Sequence, residues 1–323
     1  MTKLFEKPEA PALRKLLTSK ELVILFLKGM AMGAADVVPG VSGGTIAFIS
    51  GIYQRLIDAI KSLEPRALLI LYRQGFSAFW KSIDGTFLSI LLAGILTSVI
   101  SLANVISYCL DQYPILVWSF FFGLVLASIV YIFSQLRGWY WREICMLILG
   151  AVIALVIASV KPTNLPVEWW MLMISGSIAI CAMILPGISG SFMLLMMGMY
   201  SVVINALKDF DWILLGSFAA GCAVGLMAFS HLLSWLLKHY ENLMLSLLTG
   251  FLVGSLKTIW PWKEVIETTI NRHGERVPLI QQNVSPFYYT QVTGEPHQLF
   301  LAIVLMVIGI VLVLSLEKLG DES

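Results

Sequence analysis

Two short runs in this chain carry residue types suited to holding an anion on backbone groups: PGVSGGT at 39–45 and PGISGS at 186–191. Pro39 has no N–H to donate and stops an incoming helix, while Gly40, Gly43 and Gly44 open torsions closed to other residues. Ser42 can cap the helix that leaves, whose first N–H groups have no intrahelical partner, and Thr45, directly after Gly44, is counted with the site. Pro186, Gly187, Ser189, Gly190 and Ser191 repeat these roles. Two helix starts facing each other would present N–H donors and positive dipole ends to an anion without a buried Lys or Arg. The plainer account is a pair of kinks, since Gly and Pro are frequent in membrane helices. Recurrence at corresponding positions favours the anion site.

Few other side chains could do chemistry. Asp36 stands three residues before Pro39 in an apolar stretch, and a carboxylate there is costly. It either exchanges a proton, caps the broken backbone or pairs with Lys28. Arg55 either meets an anionic headgroup near one mouth of the site or extends along its stem to the interface. Cys109, Cys145, Cys181 and Cys222 lie in or beside apolar runs at no metal-ligand spacing, and His231, His239, His273 and His297 form no metal motif. No metal and no cofactor is expected. With so little acid/base machinery, no enzymatic step is expected either.

The elements that position these residues must be membrane helices. Of the 323 residues, 58% are hydrophobic and 13% charged, against about 45–50% and about 25% in a soluble domain. A net charge of +1 offers no field to attract nucleic acid. Apolar helices are expected at 21–36 and 44–60, each shorter than the ~20 residues of a span. An interfacial amphipathic helix follows at 62–82, with Arg66, Arg73 and Lys81 among aromatics. Spans are expected at 84–108, 114–135 and 143–160. A second series follows: 169–185, a short helix at 192–207, spans at 212–237 and 242–260, and a last span at 298–316. Between the last two, 261–297 reads as an extramembrane loop, with VPLIQQ and FYYTQV as strands of a hairpin.

The two series are one plan repeated. At an offset of 147, nine of the 23 residues from Pro39 to Lys61 recur identically, including Gly51/Gly198 and Tyr53/Tyr200. At an offset of 127, Gly94/Gly221, Tyr113/Tyr240, Ser119/Ser246, Gly123/Gly250 and Ser128/Ser255 match. The offsets differ by 20, close to the length of the helix at 62–82, which the second half lacks. If each broken pair is a re-entrant hairpin, each half crosses the membrane an odd number of times and the second lies upside down. With the N-terminus inside, 13 basic residues fall inside and six outside, as the positive-inside rule requires. The expected fold is therefore all-α: a polytopic membrane protein of two inverted-topology repeats, each a re-entrant broken-helix hairpin plus three transmembrane helices. Its divisions are a cytoplasmic segment 1–21, a first repeat 22–160, a second repeat 161–316 and a cytoplasmic tail 317–323.

The motif GAADVVPGVSGGTIAFISGIYQRLIDAI, with its degenerate copy LPGISGSFMLLMMGMY, resembles the bacterial polyprenyl-phosphate transporter family over about 22–316. The resemblance implies a flippase for undecaprenyl phosphate or a related polyprenyl-phosphate lipid. Such a protein sits in the bacterial cytoplasmic membrane among its lipids, both termini cytoplasmic, and returns the carrier lipid for cell-envelope synthesis. It places substrate at the residues of the two motifs, with Asp36 as the candidate for proton coupling. A carrier of a small soluble anion is the alternative, a lipid-phosphate enzyme a weaker one. Oligomeric state is left open.

Overall fold

The computed structural model describes residues 19–38, 41–135, 140–160, 165–270 and 276–321. Pro39 and Gly40 therefore lie outside the described residues.

The first half begins with α1 (Ser19–Val37), which ends where the PGVSGG run begins. The helix expected at 44–60 is instead two helices, α2 (Gly43–Ile49) and α3 (Tyr53–Lys61). The second half differs from expectation in the same way. After α8 (Trp169–Ile184), the stretch expected at 192–207 is divided into α9 (Gly190–Met196) and α10 (Tyr200–Lys208), bent by 101°. The cause is one residue in each copy. Gly51 and Gly198, a matched pair of the repeat, take φ of 72° and 69°, the left-handed region that ends a helix at little cost only with glycine.

The remaining helices follow the expected order. They are α4 (Pro65–Ser82), kinked at Gly75, then α5 (Gly85–Gln112), α6 (Pro114–Gln135) and α7 (Trp141–Ile157). The second half continues with α11 (Trp212–His239), α12 (Glu241–Ser255) and, last, α14 (Leu299–Asp321). Three described helices, α5, α6 and α11, are long and apolar enough to cross a membrane, with the bent α9–α10 pair as a fourth if taken together. The described residues are nearly all helical, apart from one hairpin of β1 (Lys263–Ile270) and β2 (Arg276–Asn283). The hairpin contains VPLIQQ as expected, but its partner is 263–270. FYYTQV lies instead in α13 (Pro286–Thr293). Ser285 caps the Tyr288 N–H, Pro286 opens the first turn and Gly294 closes the helix at φ 73°. Those start and stop signals override the strand preference of the aromatics.

Packing follows four seams, two of one kind and two of another. α1 lies along α5 as α8 lies along α11, and α6 lies along α14 as α7 lies along α12. Every seam is closed by glycines whose Cα atoms approach a backbone carbonyl, as small residues allow between membrane helices. Gly94 lies against the Phe26 carbonyl, and its counterpart Gly221 against that of Met173. Gly29 lies against Leu91 and Gly176 against Phe218. In the other kind of seam, Gly123 lies against Met306 and Gly250 against Leu147. Contacts advance in the same sense along both members of a seam: Gly150 meets Leu247, Gly254 meets Ala151 and Ala154, and the Lys257 ammonium reaches Ser159 Oγ. In that seam α7 and α12 thus run parallel.

Candidate functional site

The two broken motifs meet. Ser42 adopts an extended conformation (φ −122°, ψ 136°) before α2, leaving its hydroxyl free to turn back over the helix start. Its Oγ accepts the Gly44 N–H at 3.1 Å and donates to the Met183 carbonyl at 2.9 Å. Thr45 Oγ1, on the first turn of α2, accepts the Gly187 N–H at 2.9 Å. Ser42 and Thr45 are both about 1% exposed, so these two bonds between the halves are shielded from competing donors. Gly44 permits the approach: a Cβ there would lie 2.6 Å from the Ile184 carbonyl.

Asp36 is the third component of the first break. Its Oδ1 accepts the Gly43 N–H at 2.6 Å. Of the alternatives the sequence leaves open, the structure thus places Asp36 on the backbone of the break, as a tethered carboxylate at the start of α2. Lys28 is engaged elsewhere, its ammonium donating to the Ser50 carbonyl at 2.7 Å, where a cation suits the C-terminal end of α2. The counterpart of Asp36 in the second half is Met183, whose carbonyl accepts from Ser42.

The two helix starts therefore differ. At α2, the Gly43 and Gly44 N–H groups are already satisfied by Asp36 and Ser42. At α9, Ser189 stands at the cap position but its side chain caps no backbone N–H of the helix. Its hydroxyl is instead 2.9 Å from that of Ser191. Pro186 is buried beside Gly187, which takes φ 83° and packs against the Phe251 carbonyl. A shallow cleft lined by Gly187, Ile188, Ser189, Ala158, Ser255 and Thr258 opens next to this start.

Arg55 is not among the residues brought to the breaks. Its Nε donates to Asp84 Oδ2 at 2.8 Å and its Nη2 to Oδ1 at 3.2 Å, with the guanidinium 4.5 Å from the Phe87 ring centroid. This bidentate, stacked arrangement suits Arg and not Lys. It anchors α3 to the start of α5. Among the described residues no group of three or more His, Cys, Asp or Glu is placed to hold a metal ion.

What sequence reasoning missed was partnership. The Thr45–Gly187 and Ser42–Met183 bonds join residues 142 and 141 positions apart. The repeat offset of 147, which lays Asp36 over Met183, was the signal that the two breaks share one place.

Taken together, the apolar helices, the matched seams and the paired breaks define a multi-pass membrane protein whose two related halves join at interrupted helices. The chain matches the family described as VCA0040-like, undecaprenyl phosphate translocase-like, over residues 32–277, and it belongs to that family. It is 49% identical over 297 residues to a polyprenyl-phosphate transporter of Vibrio cholerae serotype O1, covering 92% of this chain and 96% of that protein. It is 33% identical over 259 residues to a polyprenyl-phosphate transporter of Staphylococcus aureus, covering 74% and 86%. No solved structure matches.

Proposed function

We propose that this protein moves undecaprenyl phosphate, or a closely related polyprenyl phosphate, across the bacterial cytoplasmic membrane, both termini lying in the cytoplasm. The phosphate head passes the paired breaks while the long apolar tail stays in lipid. The observation that carries this reading is the direct bonding of the two interrupted motifs through Ser42–Met183 and Thr45–Gly187. It places two helix starts, one from each half, at a single shielded point. Discontinuous helices at a repeat interface are where transporters hold anionic groups. The names of the two relatives supply the lipid.

The seams support an inverted repeat. α7 follows α6 after a short connection, so the two run in opposite directions, and α12 runs parallel to α7. α12 is the counterpart of α6, and the two counterparts then point opposite ways. The broken pairs are accordingly re-entrant in this reading, each returning the chain to the side it came from.

Asp36 supplies a route to proton coupling. As a carboxylate it occupies the Gly43 N–H, the donor a phosphate oxygen would need. Protonation weakens that hold and exposes the donor, so one proton gained at Asp36 accompanies one head bound. At α9 the Ser189, Gly190 and Ser191 backbone holds no such anion among the described residues, and it receives the head without a proton.

Proteoliposomes containing labelled undecaprenyl phosphate test the reading. Leaflet exchange should be protein-dependent and faster under a pH gradient. Asp36→Asn should keep exchange but lose its response to the gradient. Exchange no faster than in protein-free vesicles overturns the function, and an unchanged gradient response in Asp36→Asn overturns the coupling. Uptake of inorganic phosphate without lipid exchange would instead identify a small-anion carrier.

A further inference from the structure

Lys257 and Lys263 flank the cleft at the second break, and neither belongs to the two motifs. Lys257 follows the end of α12 by two residues, and its ammonium crosses to Ser159 Oγ at 3.1 Å, beyond the end of α7 and next to the cleft residue Ala158. Lys263 opens β1 and folds back: its ammonium donates to the Thr258 carbonyl at 2.6 Å and sits 3.8 Å from the centroid of the Trp118 ring. Thr258 itself lines the cleft. The cleft is small, with a volume of about 20 Å³. Its walls are the Ser189, Ser255 and Thr258 segments, the Gly187 turn and Phe192.

Helix capping accounts for part of this, since a cation is favourable where helix carbonyls are exposed. It does not account for two cations beside one cleft, for the ring next to Lys263, or for the absence of a carboxylate paired with either among the described residues. Among the described residues no carboxylate forms an ion pair with either lysine. The counterpart of Lys257 in the first half is Val130, so the feature belongs to one mouth alone. A partly buried ammonium held by a carbonyl and an aromatic face keeps unused capacity for an anion.

We propose that Lys257 and Lys263 form the receiving station for the lipid phosphate at the mouth of the cleft beside the second break. This rests on the reading of the protein as a polyprenyl-phosphate carrier, and adds where the head is first held. In the proposed orientation, that mouth faces away from the cytoplasm, the side from which spent carrier lipid returns.

The test uses the full chain in detergent with farnesyl phosphate as probe, farnesol as the uncharged control, and tryptophan emission as readout. Undecaprenyl phosphate exchange in liposomes is measured on the same preparations. Losing one charge-assisted contact should weaken farnesyl phosphate binding about tenfold or more in Lys263→Met and in Lys257→Met. Farnesol binding should be unchanged, and Lys263→Arg should restore most of the affinity. If the double Met variant binds farnesyl phosphate as wild type does, the station is refuted while carriage stands. If Lys263→Met loses farnesol and farnesyl phosphate alike, the lysine serves packing and the inference is likewise overturned. If wild type neither prefers farnesyl phosphate to farnesol nor exchanges the lipid, the carrier reading itself falls.

Discussion

Thr45→Val isolates the contact that joins the two halves. Valine keeps the branched shape of a side chain that is about 1% exposed, so little packing is lost. It removes the one acceptor found for the Gly187 N–H, 2.9 Å away. Polar pairs inside membrane proteins average about 0.6 kcal/mol and reach about 1.7. A buried donor left without a partner costs about 1–3 kcal/mol. Burying a methyl group in place of a hydroxyl returns a fraction of that. The expected loss is about 1–2 kcal/mol, or roughly a tenfold shift in the folded ratio. Thermal and denaturant unfolding in detergent, followed by circular dichroism, would read it against Thr45→Ser, which keeps the acceptor and should lose only the buried methyl, about 0.5–1 kcal/mol. Ser42→Ala removes the second bond as well as the cap on Gly44, costing about 1 kcal/mol. The double variant should depart from additivity, because both hydroxyls tie the same pair of breaks. Thr45→Val as stable as wild type, with Ser42→Ala strictly additive to it, would refute the view that the breaks form one unit.

Glycine seams give a sharper contrast on one helix: Gly221→Ala would drive a Cβ into the Met173 carbonyl, while Gly216 has open space around it. Melting should fall by about 1–3 kcal/mol for the first, as overpacking does, and hold or rise for Gly216→Ala; equal effects would undo the seam assignment. Burial pushes the Lys263 ammonium down to about 8, below its ordinary ~10.4. The unfolded chain then binds more protons between those values, so stability should rise as pH climbs from about 8 to about 10.4. The groups facing that ammonium are the Thr258 carbonyl and the Trp118 ring; Lys263→Met should flatten the rise, and an unchanged slope would assign it elsewhere. Arg55→Lys should lower stability by about 1–2 kcal/mol through loss of the bidentate pair with Asp84, leaving the affinity for farnesyl phosphate intact. Loss of that affinity with stability unchanged would return Arg55 to the substrate path.

Much of the plan was legible in the chain because it is set locally. Apolar runs long enough for a bilayer fixed most helices to within a few residues, and Pro39, Gly43 and Gly190 marked both breaks. Gly51 and Gly198 were visible as a matched pair, yet their effect was not: a glycine inside an apolar run is tolerated in a helix as often as it ends one. FYYTQV was misread because its aromatics favour strands, while Ser285, Pro286 and Gly294 at its flanks define a short helix. Arg55 was left between a headgroup contact and the interface because a charge in an apolar stretch has no visible partner in sequence. Its partner, Asp84, lies 29 residues away.

By itself the sequence determined that this is a helical membrane protein with a duplicated helix break, since burial length and backbone freedom are properties of contiguous residues. Only the tertiary structure decided which donors at those breaks are already taken. Asp36 holds the Gly43 N–H and Thr45 holds the Gly187 N–H, whereas the start of α9 carries no side-chain cap. A hydrogen bond forms only where two groups meet at bonding distance. For partners more than 140 positions apart, that meeting is set by how the glycine seams pack the halves together.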